Sequence, residues 1–372
     1  MGNTDWKAVY HESEKQAVII PAFFHYKKLP LGKELKSEIG QSVNQCIQNY
    51  SYHDYLHSLL KDHGISYCIL KEVVSAHYYP ESMMRQMGDA DFLVAREDFP
   101  KAEEVLKADG FIIHEESHRH HVGFEKDRMS FEIHFDQPGI PDGVEAWVVR
   151  DYFSDILEKS KETSDGSFTW IQPDKFHHGL IMLLYVQRHL LSEGIGLRHL
   201  CAWAVFVNAI PEQEFQQIFE ERLKKIGLWK FAQTISLTAH LGTGLPRKSW
   251  MGKDQSIAQA LLKDILSGGN FGSKDRQRAW EGMFISSRGQ NSVKHNRIMQ
   301  AIFFNKSEHI QSLADGKEKE RAIADWIGTF LFRIVYRAAT GKTRKHNLFS
   351  AYHKSAGRKK LYRQLELFEG EK

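Results

Sequence analysis

The chain is poor in cysteine, in charge of either sign in excess, and in long apolar runs, and each shortage excludes something. Its three cysteines, Cys46, Cys68 and Cys201, lie far apart and form no C-x-x-C pair. Neither a disulfide framework nor a thiolate metal clip is therefore expected, and the usage fits a reduced, cytoplasmic compartment. Apolar stretches such as LIMLLYV (180–186) fall well short of the roughly 20 residues that cross a bilayer, so no membrane partner is expected. A net charge of +3 is far from the excess with which a protein coats nucleic acid. The opening MGNTDWKAVYHESEK is polar and of mixed charge, unlike a signal peptide. Twenty histidines include the run HEESHRHH at 114–121, yet no H-E-x-x-H and no Cys/His ligand spacing occurs. That run reads as polar residues on an exposed hairpin rather than as a zinc site.

What is present is ample for folding. The 372 residues suggest about two domains, and 42% hydrophobic with 26% charged residues is the balance of a soluble globular protein. Residues 36–62 carry helical spacing and stop at His63-Gly64. SYCILK (66–71) reads as a short buried strand, EVVSAHYY (72–79) as a helix closed by Pro80, and ADFLVA (90–95) as a second strand. DFPKAEEVLKADG (98–110) reads as a helix with Asp98 as N-cap and Gly110 past its end. Strands at 111–116, 121–127 and 130–136 complete the order αβαβαβββ, an α+β unit. Beyond PGIPDG (138–143) the pattern turns helical, at 174–191, 197–210, 212–226, 228–241 and 256–267, as in a bundle. Helical patterning resumes after a Gly/Ser/Asn-rich break (268–292) and runs towards 339. The expected division is residues 1–150 and 151–372. The basic end at 342–368 is either a solvated arm or a contact for nucleic acid or a phosphate-rich ligand, the arm being favoured.

One stretch resists a purely structural reading. MRQMGDADFLV (84–94) places Asp89 and Asp91 at the start of an apolar strand, where aspartate is disfavoured. Residues i and i+2 share a strand face, so two carboxylates crowd together and either shift their pKa values or bind a cation. The competing reading is a cap-and-turn pair. Gly88 frees the backbone for a sharp entry into the strand.

A strand, a short helix, then G-D-x-D opening a second strand resembles the polymerase-beta-type nucleotidyltransferase fold. ILK (69–71), YYPESMMRQMGDADFLV (78–94), AEEVLKADGF (102–111), FEIHFDQPGIP (131–141) and GIGLRHLCAW (194–203) together resemble the uncharacterised bacterial nucleotidyltransferase-like family, over roughly residues 50–210. The resemblance implies a small mixed sheet with flanking helices and a mainly helical C-terminal domain. It implies a Mg²⁺-dependent enzyme that transfers a nucleotidyl group from an NTP to a small-molecule, peptide or saccharide acceptor. It further implies Asp89, Asp91 and Glu132 as metal-binding catalytic carboxylates. Lys71, Arg85, Gly88 and His134 are the companion residues for metal and nucleotide. For each of Glu132, His134 and Arg85 a bland alternative stands beside this one: a solvent-facing acid, a packed imidazole, a turn arginine.

Two departures from the family pattern matter. Glu72 stands where the fold usually has glycine, adding negative charge where phosphates dock. Ala202 replaces an aspartate common in relatives. Two further readings follow: a catalytically degenerate binding or regulatory protein, and an RNA-end modifying enzyme leaning on the basic tail. Arg188, His189 and Arg198 are candidates to line an acceptor pocket, or else satisfied helical side chains.

Overall fold

The computed structural model describes residues 4–115, 121–135, 139–140, 145–166, 168–275, 277–282, 285 and 348–369. Helical patterning towards 339, the tip of the HEESHRHH run and the start of the basic end lie outside them. Two helices not foreseen in the sequence come first, α1 (Trp6–Lys15) and α2 (Ile19–Phe23). Asp5 caps α1, its carboxylate accepting from the Lys7 and Ala8 N–H groups. The long α3 (Lys33–Asp62) ends at His63, and Gly64 adopts φ +60°, the left-handed stop expected there.

A five-stranded mixed sheet follows, from β1 (Tyr67–Ile69), β2 (Ala90–Val94), β3 (Ile112–Glu115), β4 (His121–Lys126) and β5 (Met129–His134), with α4 (Glu72–Ala76) after β1 and α5 (Phe99–Ala108) after β2. The strand order is β1-β2-β5-β4-β3; β2 and β5 run parallel and the other pairs antiparallel. The α+β class is therefore the observed one. Asp98 precedes α5 but makes no side-chain cap bond; Pro100 in the first turn sets the helix entry instead.

Strict alternation gives the sheet two faces. Tyr67, Ile69, Phe92, Val94, Phe124, Phe131 and Ile133 pack with Leu56 and Leu60 of α3 and Ala102 and Leu106 of α5. The intervening residues Cys68, Leu70 and Leu93 face the other way and join a separate helical core. On that second face β2, β5 and β4 carry polar residues, and this is what positions the site.

Two short helices, α6 (Glu145–Tyr152) and α7 (Ile156–Lys159), lead to a hairpin of β6 (Lys161–Asp165) and β7 (Phe168–Gln172). Polar strand residues hid it in the sequence. It lies along α3 and β1: Trp170 is fully buried in the sheet core, Phe168 stacks on Tyr50 at 5.6 Å, and the Asp54 carboxylate accepts from Thr169 N–H at 2.8 Å.

The helical region comprises α8 (Lys175–Leu191), α9 (Leu197–Ala209), α10 (Glu212–Lys225), α11 (Trp229–Thr243), α12 (Gln255–Gly268), α13 (Arg278–Gly282) and α14 (Leu348–Arg363). Asp174 caps α8 through His177 N–H at 2.9 Å. Gly179 lets α8 approach its neighbours closely, since a Cβ there would stand 2.5 Å from the Phe219 ring. Among the described residues no helix is long and apolar enough to cross a membrane.

Candidate active site

The end of β1 and the start of β2 build the site. Leu70 N–H donates to the Asp91 carbonyl at 2.9 Å, extending the pairing by one residue and setting Lys71 beside Asp91. Lys71 Nζ then lies 2.7 Å from Asp91 Oδ2, and His134 Nε2 lies 2.9 Å from Asp91 Oδ1. Asp91 and Glu132 are register partners across the parallel β2–β5 pair. Glu132 Oε2 is 3.6 Å from His134 Nε2 and 3.8 Å from His121 Nε2. Asp89 sits just before β2, exposed, while Asp91 is buried. The two aspartates therefore differ in environment although they are two residues apart.

The electrostatics separate them further. Burial alone raises the Asp91 carboxyl, but the Lys71 ammonium and the His134 bond outweigh it and hold Asp91 well below the carboxylate range. Asp89 is pushed up, by burial first and then by the charges of Glu132 and Asp91. Lys71 stays above its usual value despite burial, because Asp91, Tyr185 and Glu72 surround it. His134 likewise stays high against burial, through Asp91 and Glu132.

The loop entering β2 is fastened from three sides. Asn49 Nδ2 donates to the Gly88 carbonyl at 3.4 Å, and the Cys46 thiol donates to the Arg85 carbonyl at 3.4 Å. Glu72 Oε2 accepts from Arg85 Nη1 at 2.5 Å and from Gly88 N–H at 3.2 Å. Arg85 thus pairs with Glu72 rather than with either aspartate, and both partners are buried. The Glu72 carboxyl is held low against burial by Arg85, Arg198 and Lys71.

Helix α8 closes one side. The Lys71 ammonium lies 4.0 Å from the centre of the Tyr185 ring, and Tyr185 stacks on His199 at 5.6 Å. His189 bonds Glu193 at 2.6 Å, Arg198 covers Phe271 at 5.5 Å, and Arg188 is exposed. Ala202 is simply buried in the helical core. A cavity of about 230 Å³ opens on Asp89, lined also by Asn49, His53, Gly88, Arg128 and Ser130. A larger one, about 330 Å³ and lined by Trp229, Gln233 and Asp254 among others, shares no residue with it.

The structure therefore brings Asp91, Glu132, His134 and Lys71 together, while Asp89 feels the charges of Glu132 and Asp91 but faces the cavity beside Asn49 and Ser130; Gly88 and Arg85 lie one bond further out through Glu72. Sequence reasoning missed His121 and Tyr185. His121 was assigned to an exposed hairpin, whereas it opens β4 opposite His134; the alternation in HHVGFEK carried that signal. Nothing in the sequence marks Tyr185, which is one aromatic among many on an apolar helix.

A protein-family model described as uncharacterised nucleotidyltransferase matches residues 2–243, and the chain belongs to that family. No curated protein matches it.

Proposed function

We propose that this member of the uncharacterised nucleotidyltransferase family transfers a nucleotidyl group from an NTP to a hydroxyl or phosphate of an acceptor, with Mg²⁺ as the metal. The observation that carries the reading is the pairing of Asp91 with Glu132 across β2 and β5, with Asp89 beside them at the mouth. Asp91 and Glu132, register partners on one sheet face, offer the hard oxygens that a divalent ion requires, and Asp89 adds negative charge beside them, so the residues present fit the metal. When bound, the ion supplies charge neutralisation for the phosphates and orientation of the attacking oxygen.

The chain's own residues supply the rest. Asp91 and Glu132 hold the ion, and His134 orients the Asp91 carboxylate through Oδ1. Lys71 and Arg85 are the cations within reach of a triphosphate. Asp89, exposed and with its carboxyl above the usual range, takes the proton as the acceptor oxygen attacks the α-phosphorus and pyrophosphate leaves.

A second reading is favoured by one specific observation. Lys71 is already paired with Asp91, and Arg85 with Glu72, so the buried charges satisfy one another without ligand. A binding or regulatory protein on this fold would look the same. Thermal-shift measurements across a nucleotide panel, with and without Mg²⁺, followed by pyrophosphate release, separate the two. Metal-dependent shifts and release abolished by Asp91→Asn support transfer; nucleotide binding without release in any acceptor pool supports the second.

A further inference from the structure

Glu132 has neighbours that a magnesium ligand does not need. His121 and His134 are register partners on β4 and β5, with ring centres 5.0 Å apart. The residue opposite Glu132 is Gly123, which offers no side chain, so the carboxylate leans between the two imidazoles. Its Oε2 lies 3.8 Å from His121 Nε2 and 3.6 Å from His134 Nε2, and the three ligand atoms fall within 4.8 Å of one another. Asp91 Oδ1 bonds His134 Nε2 at 2.9 Å and stands beside that group of three. All four side chains stand on one face of the sheet, as alternation along the three strands requires.

We infer that Glu132, His134 and His121, joined by Asp91 once its bond to His134 opens, form an N₂O₂ seat for a zinc-class divalent ion. Zinc bonds of about 2.0–2.2 Å hold tetrahedral donors roughly 3.4 Å apart. The Glu132 contacts, at 3.6 and 3.8 Å, need little closure to reach that. Imidazole nitrogen selects zinc-like ions, whereas magnesium is held by oxygen. Asp91 serves both roles at once, since Oδ1 faces His134 while Oδ2 stays with Lys71. The lysine then becomes the outer partner that fixes the ligating carboxylate. Among the described residues the buried His134 Nδ1 has no hydrogen-bond partner, so the ring is positioned through Nε2. The group that sits between Asp91, Glu132 and His121 therefore decides its orientation. The inference shares Asp91 and Glu132 with the proposed transfer site but does not depend on nucleotidyl transfer.

The test uses the full chain stripped with chelator and titrated with Co²⁺, Zn²⁺ and Mg²⁺, reading the visible spectrum of Co²⁺ and calorimetric stoichiometry. The expected result is one Zn²⁺ or Co²⁺ per chain, with the strong bands of four-coordinate cobalt and affinity at least about 100-fold above Mg²⁺. His121→Ala should lose about tenfold or more in affinity and weaken those bands. His121→Cys, which restores a soft ligand, should regain binding and add thiolate-to-metal absorption. A weak six-coordinate spectrum, or one unchanged in both His121→Ala and His134→Ala, overturns the inference and points to adventitious binding elsewhere. If that happens while Asp91→Asn still abolishes Mg²⁺-dependent pyrophosphate release, the transfer reading survives alone. If cobalt binds through the histidines and no nucleotide is turned over, the metal seat survives alone.

Discussion

Lys71 Nζ lies 2.7 Å from Asp91 Oδ2, and both side chains are largely buried, so the central carboxylate of the site already holds a cation of the chain's own. Any ion arriving at Oδ2 competes with that ammonium, while Oδ1 is reached past His134. The resting molecule is thereby stabilised at the expense of metal affinity.

Lys71→Met separates those two effects. Removing one partner of a buried pair leaves an uncompensated charge, at a cost of about 3–5 kcal/mol. The ligand-free variant should melt lower than wild type, and Mg²⁺ or Mn²⁺ should return much of the loss by occupying Asp91. Melting temperatures with chelator and with each ion check this. Equal metal shifts in both proteins would show that Lys71 does not compete for the carboxylate.

The two aspartates should respond oppositely to neutralisation. Asp91→Asn weakens the bonds to Lys71 and His134 and should destabilise the ligand-free protein by several kcal/mol, on the order of a broken buried pair. Asp89→Asn removes an exposed charge that Glu132 and Asp91 oppose, so its stability should stay within about 0.5 kcal/mol of wild type. Mg²⁺-dependent nucleotide binding should fail in both. Urea unfolding alongside nucleotide titration reads the split, and a strongly destabilised Asp89→Asn would return that residue to a structural role.

Acid should weaken the fold through His178. This ring is fully buried, stacks on Tyr78 at 5.6 Å, and is pushed down to about 3 by burial first and by the Arg85 charge second. The folded state thus refuses a proton that the unfolded chain accepts near pH 6.5. The contribution is complete above that value and is lost as pH falls from there towards 3, at up to about 1.4 kcal/mol per pH unit. His178→Phe removes that dependence while His53 and His199, also depressed, remain in both proteins. Unfolding free energies at about pH 7, 6 and 5 should converge by about 2 kcal/mol in the variant relative to wild type; parallel curves would mean that His178 does not stay neutral in the fold.

Much of this was legible in the chain. Alternation in ADFLV and FEIHF marked two strands and put Asp91, Glu132 and His134 on polar positions between buried aromatics. Gly64 and Gly110, both with positive φ, fixed helix ends from sequence alone. The hairpin around Gly166 was not legible, because of its ten strand residues only Trp170 is fully buried and period-2 patterning needs more than one. Pairings were harder still. That Arg85 meets Glu72, thirteen residues earlier, depends on where the loop after α4 returns, which local propensity does not encode. The same holds for His121, whose meaning comes from a strand register.

Glu72 is where sequence and structure lead to different experiments. Standing where the fold usually carries glycine, it reads as an obstacle to phosphate, and Glu72→Gly as a simple improvement. In the structure its carboxylate is the partner of a buried Arg85, whose Nε has no hydrogen-bond acceptor among the described residues, and it also accepts the Gly88 N–H that fixes the entry to β2. Glu72→Gly should therefore cost the ligand-free protein about 3–5 kcal/mol. Arg85 is then left unpaired, so triphosphate should bind better and raise the variant's melting temperature more than that of wild type. Glu72→Gln, which can still accept from both donors, should lose much less stability and gain less binding. Melting curves with and without ATP or tripolyphosphate, at matched ionic strength, distinguish the cases. A Glu72→Gly protein that is destabilised and shows no added response to triphosphate would place Arg85 outside the phosphate site and leave Glu72 as the clasp of the β2 entry loop alone.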